Sequence, residues 1–222
     1  DFHAHILPRC DHGSDGIETS LKQVALAKAA GVDVICATSH FYGHQSSVDH
    51  FLEKRARCWL ELRAQLKEDD PKIVLGAEVL AFEGIERLPH LESLCLMGTD
   101  MLLLEMPFAH WSDRLIDSVE AISDRRDLRI VLAHVDRYDP KQIEMLFSFD
   151  RVKGQVNVSS LKKRFQSRQL REWMREGQIV AVGSDIHGTE TGYREWLAAK
   201  RRFPAEWEAA MQQTGKRLST LV

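Results

Sequence analysis

The sequence predicts an α/β fold whose parallel strands form a sheet closed, or nearly closed, into a barrel. Two observations carry that expectation. Seven short apolar runs alternate with stretches of helical spacing, which is the signature of parallel βα units. Six of the seven runs also end in an imidazole or a carboxylate, at the rim where such folds gather their chemistry.

The runs are "DFHAHIL", "VDVICATSH", "KIVLGAEV", "MLLLEMPF", "RIVLAHV", "KGQVNVSS" and "QIVAVGSD", each short and β-branched enough for a buried strand. Between them, "GIETSLKQVALAKAAG" spaces Leu21, Val24, Ala25 and Ala29 along one face and stops at Gly31, a good helix terminator. "SVDHFLEKRARCWLELRAQLKEDDP" places Phe51, Leu52, Trp59, Leu62 and Leu66 in the same way and ends before Pro71. "DRLIDSVEAISDR", "DPKQIEMLFSF" and "SRQLREWMREGQ" repeat the pattern. The last 32 residues read as two helices split at Pro204, with Trp196, Leu197, Trp207 and Met211 packing on the sheet. There is no internal repeat and no Gly/Ser linker, so residues 1–222 are expected to form a single domain.

Composition narrows the function classes. A formal net charge of -3 provides no global basic field for nucleic acid or an anionic membrane. The basic run "LKKRFQSRQLR" at 161–171 reads as a solvated helix face. No stretch approaches the roughly 18 apolar residues of a membrane span, and no signal-peptide pattern is present, so the expectation is a cytoplasmic protein without membrane insertion. Cys10, Cys36, Cys58 and Cys95 show no C-x-x-C spacing, and none has an arginine six positions later, the spacing of thiol-based phosphatases. They are expected to be structural thiols.

The polar rim residues point to metal. His3 and His5 are two apart, so on a strand both project from one face. His40, Glu78, Glu105, His134, Asp185 and His187 follow successive apolar runs, and His12 follows the first. An unpaired carboxylate at a buried strand end costs several kcal/mol unless a cation neutralises it, and a metal ion or an arginine meets that need. Nine nitrogen and oxygen donors exceed one tetrahedral zinc and suit two or three ions, with a carboxylate such as Glu78 bridging. His44, His50, His90 and His110 fall in helices or loops and are expected to be solvated.

These motifs, "DFHAHILPRCDHG", "ATSH", "GAEV", "LLLEMPF", "LAHVDRY" and "GSDIH", resemble in order those of the polymerase-and-histidinol-phosphatase (PHP) superfamily. The wording is most similar to bacterial manganese-dependent protein-tyrosine phosphatases of capsule and exopolysaccharide loci, from residue 1 to about 190. The resemblance implies a distorted (β/α)7 barrel of the TIM-like kind with a metal cluster at the carboxyl rim of its strands. It implies that His3, His5, Glu78 and Asp185 bind one ion, Glu78, Glu105 and His134 a second, and His12, His40 and His187 a third. The ions would be two or three divalent cations, Mn²⁺ foremost, with Fe, Zn or Mg as other choices. It further implies that Arg137 clamps the substrate phosphate.

Three departures from the family pattern stand out. Asp11-His12-Gly13 replaces the usual Asp-Asp-Gly, so an imidazole stands where a carboxylate ligand is usual. Gly188 and Gly192 replace the usual Asn and following basic residue, with Arg194 two positions late as a candidate phosphate contact. The segment from "VNVSS" to "GSDIH" is also short.

The implied activity is hydrolysis of phosphotyrosine on protein, the tyrosine-rich tail of a bacterial polysaccharide-export kinase being one candidate partner. Water activated by the ions would attack phosphorus in line, with no covalent enzyme intermediate. Asp185 or His187 would relay a proton to the leaving group. Phe41, Tyr42, Phe108, Trp111 and Tyr138 follow the rim motifs, where each serves either core packing or contact with a phenyl ring. The alternatives are a small-molecule PHP phosphatase, such as one for histidinol phosphate, an exonuclease, which the acidic balance disfavours, and a degenerate metal-binding regulator without activity. For Arg137 the bland reading is neutralisation of a buried carboxylate such as Glu105 or Asp136.

Overall fold

The computed structural model describes residues 1–162, 166–188, 191–202, 205 and 208. The second and third apolar runs each break into two strands, β1 (Val34–Ala37) with β2 (His40–Phe41) and β3 (Lys72–Leu75) with β4 (Glu78–Leu80). The later runs give β5 (Met101–Glu105), β6 (Arg129–Leu132), β7 (Val152–Asn157) and β8 (Ile179–Gly183). β1 pairs with β3, and a six-stranded sheet runs β2-β4-β5-β6-β7-β8, all neighbours parallel.

The helices are α1 (Ile17–Ala29), α2 (Val48–Arg63), α3 (Asp113–Ser123), α4 (Pro140–Phe147), α5 (Gln166–Arg175) and α6 (Thr191–Arg202). They fall as expected except that α2 stops short of Leu66 and Pro71, the polar stretch before Pro71 forming instead a turn in which the Lys67 N–H donates to Asp70 Oδ2 (2.9 Å). Their starts are chemically marked. The side chains of Ser47, Ser112 and Asp139 accept backbone N–H bonds at the first turns of α2, α3 and α4, worth about 1 kcal/mol each. Gly31, just past α1, takes the left-handed conformation (φ 71°) expected of a terminator. Pro204, Trp207 and Met211, and Lys163 to Phe165 of the basic run, lie outside the described residues. Trp196 is buried, whereas Leu197 is exposed.

The expected first strand is the exception. Residues 1–7 form no continuous ladder; Ala4 makes single parallel bridges to Ala37, at the end of β1, and to Ile186, just beyond β8. Backbone bonds from Phe2 to Val182 and from Thr38 to Ala4 hold it in place (3.1 and 3.0 Å). What is established is thus a parallel sheet with helices, rather than the complete seven-stranded barrel. The segment is nonetheless bonded on both sides, with Cys36 and Thr38 donating to Asp1 and Ala4 and with Phe2 and His5 donating to Val182 and Ile186, so His3 and His5 project from one extended stretch.

Strand periodicity sorts the side chains. Met101 and Leu103 of β5, Val131 of β6 and Ala181 of β8 belong to one apolar cluster with Phe2, Cys36 and Leu96, while Leu102, Leu104, Ile130 and Val182 pack into the larger cluster with the helices. Glu105 continues the series of Met101 and Leu103, so it is delivered to the side of the smaller cluster. A bulge between Gly154 and Gln155 shifts the register of β7 against β8 at the same level. Bulges of this kind re-aim side chains beside active sites.

Gly183 ends β8 where the chain meets the first segment. A Cβ placed there would lie 2.5 Å from the His3 Cβ and 2.7 Å from Gln155 Nε2. Gly183→Ala is therefore expected to lower stability by about 1–3 kcal/mol through overpacking. Chemical denaturation checks this, and an unchanged midpoint would contradict the tight approach.

Candidate metal centre

Glu78, which opens β4, is the midpoint of the rim cluster and is almost completely buried. Its Oε2 lies 3.1 Å from His3 Nε2, 3.2 Å from His5 Nε2 and 3.0 Å from His40 Nδ1. Its Oε1 lies 3.0 Å from His134 Nε2, which in turn is 3.4 Å from Glu105 Oε1. Register explains part of this convergence: His40 sits directly opposite Glu78 in the β2–β4 pairing. Asp185 Oδ1 completes one side, at 3.6 Å from His3 Nε2 and 3.5 Å from His5 Nε2. His187 Nε2 lies 3.5 Å from His40 Nε2.

The first expected ligand set, His3, His5, Glu78 and Asp185, is therefore assembled. So is the second, Glu78, Glu105 and His134. Their donor separations match a cation site, since ligands about 2.1 Å from one ion lie roughly 3.0–3.4 Å apart. For the third set the geometry differs in detail. His5, His40 and His187 can present donors to one point, whereas His12 is exposed and stands beside them, its ring 4.6 Å from that of His40 and 4.8 Å from that of His187.

Hydrogen bonds within the cluster leave part of it unsatisfied. Despite three nitrogens within 3.2 Å, Glu78 Oε2 makes no hydrogen bond, and neither do the buried His40 Nδ1 and His134 Nδ1. A buried polar atom left in that condition costs about 1–3 kcal/mol, more if charged. A divalent ion would satisfy the carboxylate and the converging imidazole lone pairs together, so the residues present fit a metal. The arginine alternative for Glu78 and Glu105 is not realised, for the groups against them are imidazoles.

Electrostatics agree. Burial alone would raise Glu78 and suppress charge on His5 and His134. Instead His3, His134 and His40 hold Glu78 well below the usual carboxylate range, Asp11, Asp185 and Glu78 raise His5 well above an ordinary imidazole, and Glu105 and Glu78 push His134 up to about 9. Burial, reinforced by neighbouring His5, lowers His187 to about 4, leaving it neutral as a ligand must be. Protons thus occupy the places a cation would take, and metal binding would release them.

A second layer holds the donors in place. His3 Nδ1 donates to Gln155 Oε1 (3.1 Å), His5 Nδ1 to Asp11 Oδ2 (2.8 Å) and His187 Nδ1 to the Asp185 carbonyl (3.0 Å), each freeing Nε2 as the donor atom. Gln155 Oε1 also accepts the His134 backbone N–H (2.7 Å), its Nε2 donates to Asn157 Oδ1 (2.9 Å), and Asn157 Nδ2 donates to Asp185 Oδ2 (2.9 Å). His134 and Asp185 themselves take left-handed backbone conformations (φ 33° and 50°), the local strain expected where a side chain is aimed for function.

Gln155, Asn157 and Asp11 are the residues missed by reading the sequence for ligands. "KGQVNVSS" is the one run without an imidazole or carboxylate at its end, and it is the run that supplies the supporting amides. Two amides spaced by two in an otherwise apolar strand were the available signal. Asp11, in place, serves His5 and the His40 backbone N–H (2.9 Å) rather than an ion.

Arg137 pairs with Asp185, and not with Glu105 or Asp136. The Asp136 carboxylate instead accepts from the Asn157 backbone (2.9 Å) and the Ser160 hydroxyl (2.5 Å). The Arg137 side chain is 42% exposed and lines a cavity of 150 Å³ with Asn157, Ser184, Asp185 and Glu195. Arg194, exposed on α6, is not among that cavity's lining residues.

Fold and site together define a class: a parallel α/β protein with a buried carboxylate–imidazole centre able to hold divalent ions. More particularly, the chain belongs to the capsular polysaccharide synthesis CpsB/CapC family, whose model matches residues 1–201. Its structure is similar to one from the crystal structures of YwqE from Bacillus subtilis and CpsB from Streptococcus pneumoniae, described as unique metal-dependent tyrosine phosphatases. The TM-score is 0.76 at 22% sequence identity, covering 98% of this chain and 92% of that one, which establishes the shared fold. No curated protein sequence matches significantly. Among the described residues no helix is long and apolar enough to cross a membrane.

Gln155 gives a direct test of the supporting layer. Gln155→Ala removes the partner of His3 and the link to Asn157, and is expected to weaken metal affinity about 10- to 100-fold. Metal titration of the purified variant measures it; wild-type affinity would show that the amide is packing only.

Proposed function

We propose that the chain is a metal-dependent phosphomonoesterase that hydrolyses phosphotyrosine on protein, in the cytoplasm, with two or three divalent ions, Mn²⁺ foremost. The observation that carries this reading is the buried Glu78 carboxylate, ringed by imidazole nitrogens yet without a hydrogen bond at Oε2. Membership of the CpsB/CapC family and the fold shared with metal-dependent tyrosine phosphatases support it. We read the bridges of Ala4 to Ala37 and Ile186 as the seam of a distorted (β/α)7 barrel, with residues 1–7 as its irregular seventh strand. A polysaccharide-export tyrosine kinase is the partner this reading favours.

His3, His5, Glu78 and Asp185 would hold one ion, and Glu78, Glu105 and His134 a second. His40 and His187 would hold a third, with His5 or His12. Divalent ions supply Lewis-acid polarisation and lower the pKa of water toward neutrality. The chain's own groups do the rest. Gln155 and Asn157 keep His3, His134 and Asp185 aimed inward. Arg137, anchored beside Asp185 but open to solvent, offers a bidentate cation to the phosphate's equatorial oxygens. We read no proton relay into His187, whose neutral ring keeps its N–H on the Asp185 carbonyl and offers Nε2 as a ligand. A phenolate leaves readily without an acid, which suits a site of this kind to phosphotyrosine better than to an alkyl ester.

Purified protein is expected to hydrolyse a phosphotyrosine peptide, to lose that activity on exhaustive chelation and dialysis, and to regain it with Mn²⁺. Glu78→Gln should lose metal and activity together. Full turnover in excess chelator would overturn the reading.

Arg137→Ala is expected to cut kcat/KM by roughly 10² to 10³ while bound metal is retained, as for loss of one strong oxyanion donor. Paired metal analysis and kinetics decide the matter. A fall in thermal stability with kcat/KM intact would instead make Arg137 a structural partner of Asp185.

A further inference from the structure

Five aromatic residues follow the rim motifs, and the structure separates them. Phe41 is fully buried with its ring edge-on to Phe51 (5.3 Å, 74°), and Trp111 is 4% exposed with its indole N–H donating to the Pro107 carbonyl (2.9 Å). Tyr138 is committed as well, its hydroxyl donating to the Met106 carbonyl (2.7 Å). Tyr42 is half-buried and stacks on His40 (5.4 Å, 15°). Phe108 is different, for 66% of it is exposed.

An exposed phenyl ring is ordinary in isolation, but this one is held in a defined place. Its ring stacks on His134 (5.8 Å, 17°) and on Tyr138 (5.3 Å, 17°), and Tyr138 is met edge-on by Trp111 (5.6 Å, 61°). The bonds from Tyr138 to Met106 and from Trp111 to Pro107 fasten the loop immediately before Phe108. The segment 134–138 also unites the pieces of the site: His134 beside Glu78 and Glu105, Arg137 beside Asp185, and Tyr138 under Phe108. A phosphate held between Arg137 and the metal centre therefore has an open, pre-positioned aromatic face among its neighbours.

We propose that Phe108 is the aryl-recognition residue of this site, the surface on which the phenyl ring of a phosphotyrosine substrate stacks. The proposal rests on the phosphatase reading and adds to it a source of selectivity: an aryl phosphate gains the ring contact, whereas a short alkyl phosphate, such as phosphoserine, gains nothing from it. The contact forms with the ground-state ring and persists as the phosphate–oxygen bond breaks, so it is uniform binding, which lowers KM and leaves kcat nearly unchanged.

The test compares wild type, Phe108→Ala, Phe108→Trp and Tyr42→Ala, all loaded with Mn²⁺, on matched phosphotyrosine and phosphoserine peptides. Calorimetric binding of benzylphosphonate and methylphosphonate provides a readout that does not depend on turnover. Phe108→Ala is expected to raise KM for the phosphotyrosine peptide about tenfold, and to reduce the benzyl-to-methyl affinity ratio by a similar factor, the scale of one aromatic stack. Phe108→Trp is expected to keep both ratios within about threefold of wild type. Because the residue is exposed, its loss should leave the melting temperature unchanged. Equal losses on both peptides, or an unchanged phosphonate ratio, would overturn the proposal while leaving the phosphatase reading in place. So would a collapse of the ratio in Tyr42→Ala alone, which would put the ring on the His40 side. Wild-type protein that hydrolyses neither peptide would instead refute the underlying activity.

Discussion

One buried carboxylate organises this molecule. Glu78 brings a charge into a place where four imidazoles, from the first segment, from β2 and from the turn after β6, can meet it. Desolvating that charge costs several kcal/mol, and the cost is offset only if cations or ligand-bound ions surround it. Each surrounding group then has its own placement dictated. His40 stands opposite Glu78 in the sheet, His134 follows β6 with a left-handed backbone, and residues 3 and 5 share one face of the first segment.

Donors in such a centre need fixed tautomers as well as fixed positions. The protein meets that need with a connected layer rather than with separate devices. Gln155 alone touches the His3 ring, the His134 backbone and Asn157, and Asn157 passes the connection to Asp185. A residue that touches two candidate ligands and, through one amide, a third couples their geometry. On the other flank Asp11 joins the His5 ring to the backbone of His40. Beside them His12 adds an exposed imidazole ring stacked against His40 and His187.

Much of this was legible in the sequence because two periodicities are local. Alternation of apolar strands and amphipathic helices marked the elements, and the two-residue spacing of His3 with His5 and of Asp185 with His187 marked side chains sharing a face. Gly31 marked the end of α1 to within two residues, whereas Pro71 marked the end of α2 too late, since that helix stops at Arg63. Rim position then followed from where each apolar run stopped. Breaks within runs were less visible. Nothing in "KIVLGAEV" alone shows that β3 ends at Leu75 and that Glu78 opens a new pairing, since that depends on what lies across the sheet.

The sequence by itself determined the element order, the donor types and the family likeness, because these are properties of short segments read one at a time. Only the tertiary structure decided partners. It put Arg137 on Asp185 rather than on Glu105 or Asp136, made Asp11 a support for His5, left His12 beside the donors rather than among them, and gave the seemingly inert β7 the task of aiming three candidate ligands. Contacts such as that of His3 with Gln155, 152 positions apart, are set by how strands stack and where a bulge falls, and no segment carries that information alone.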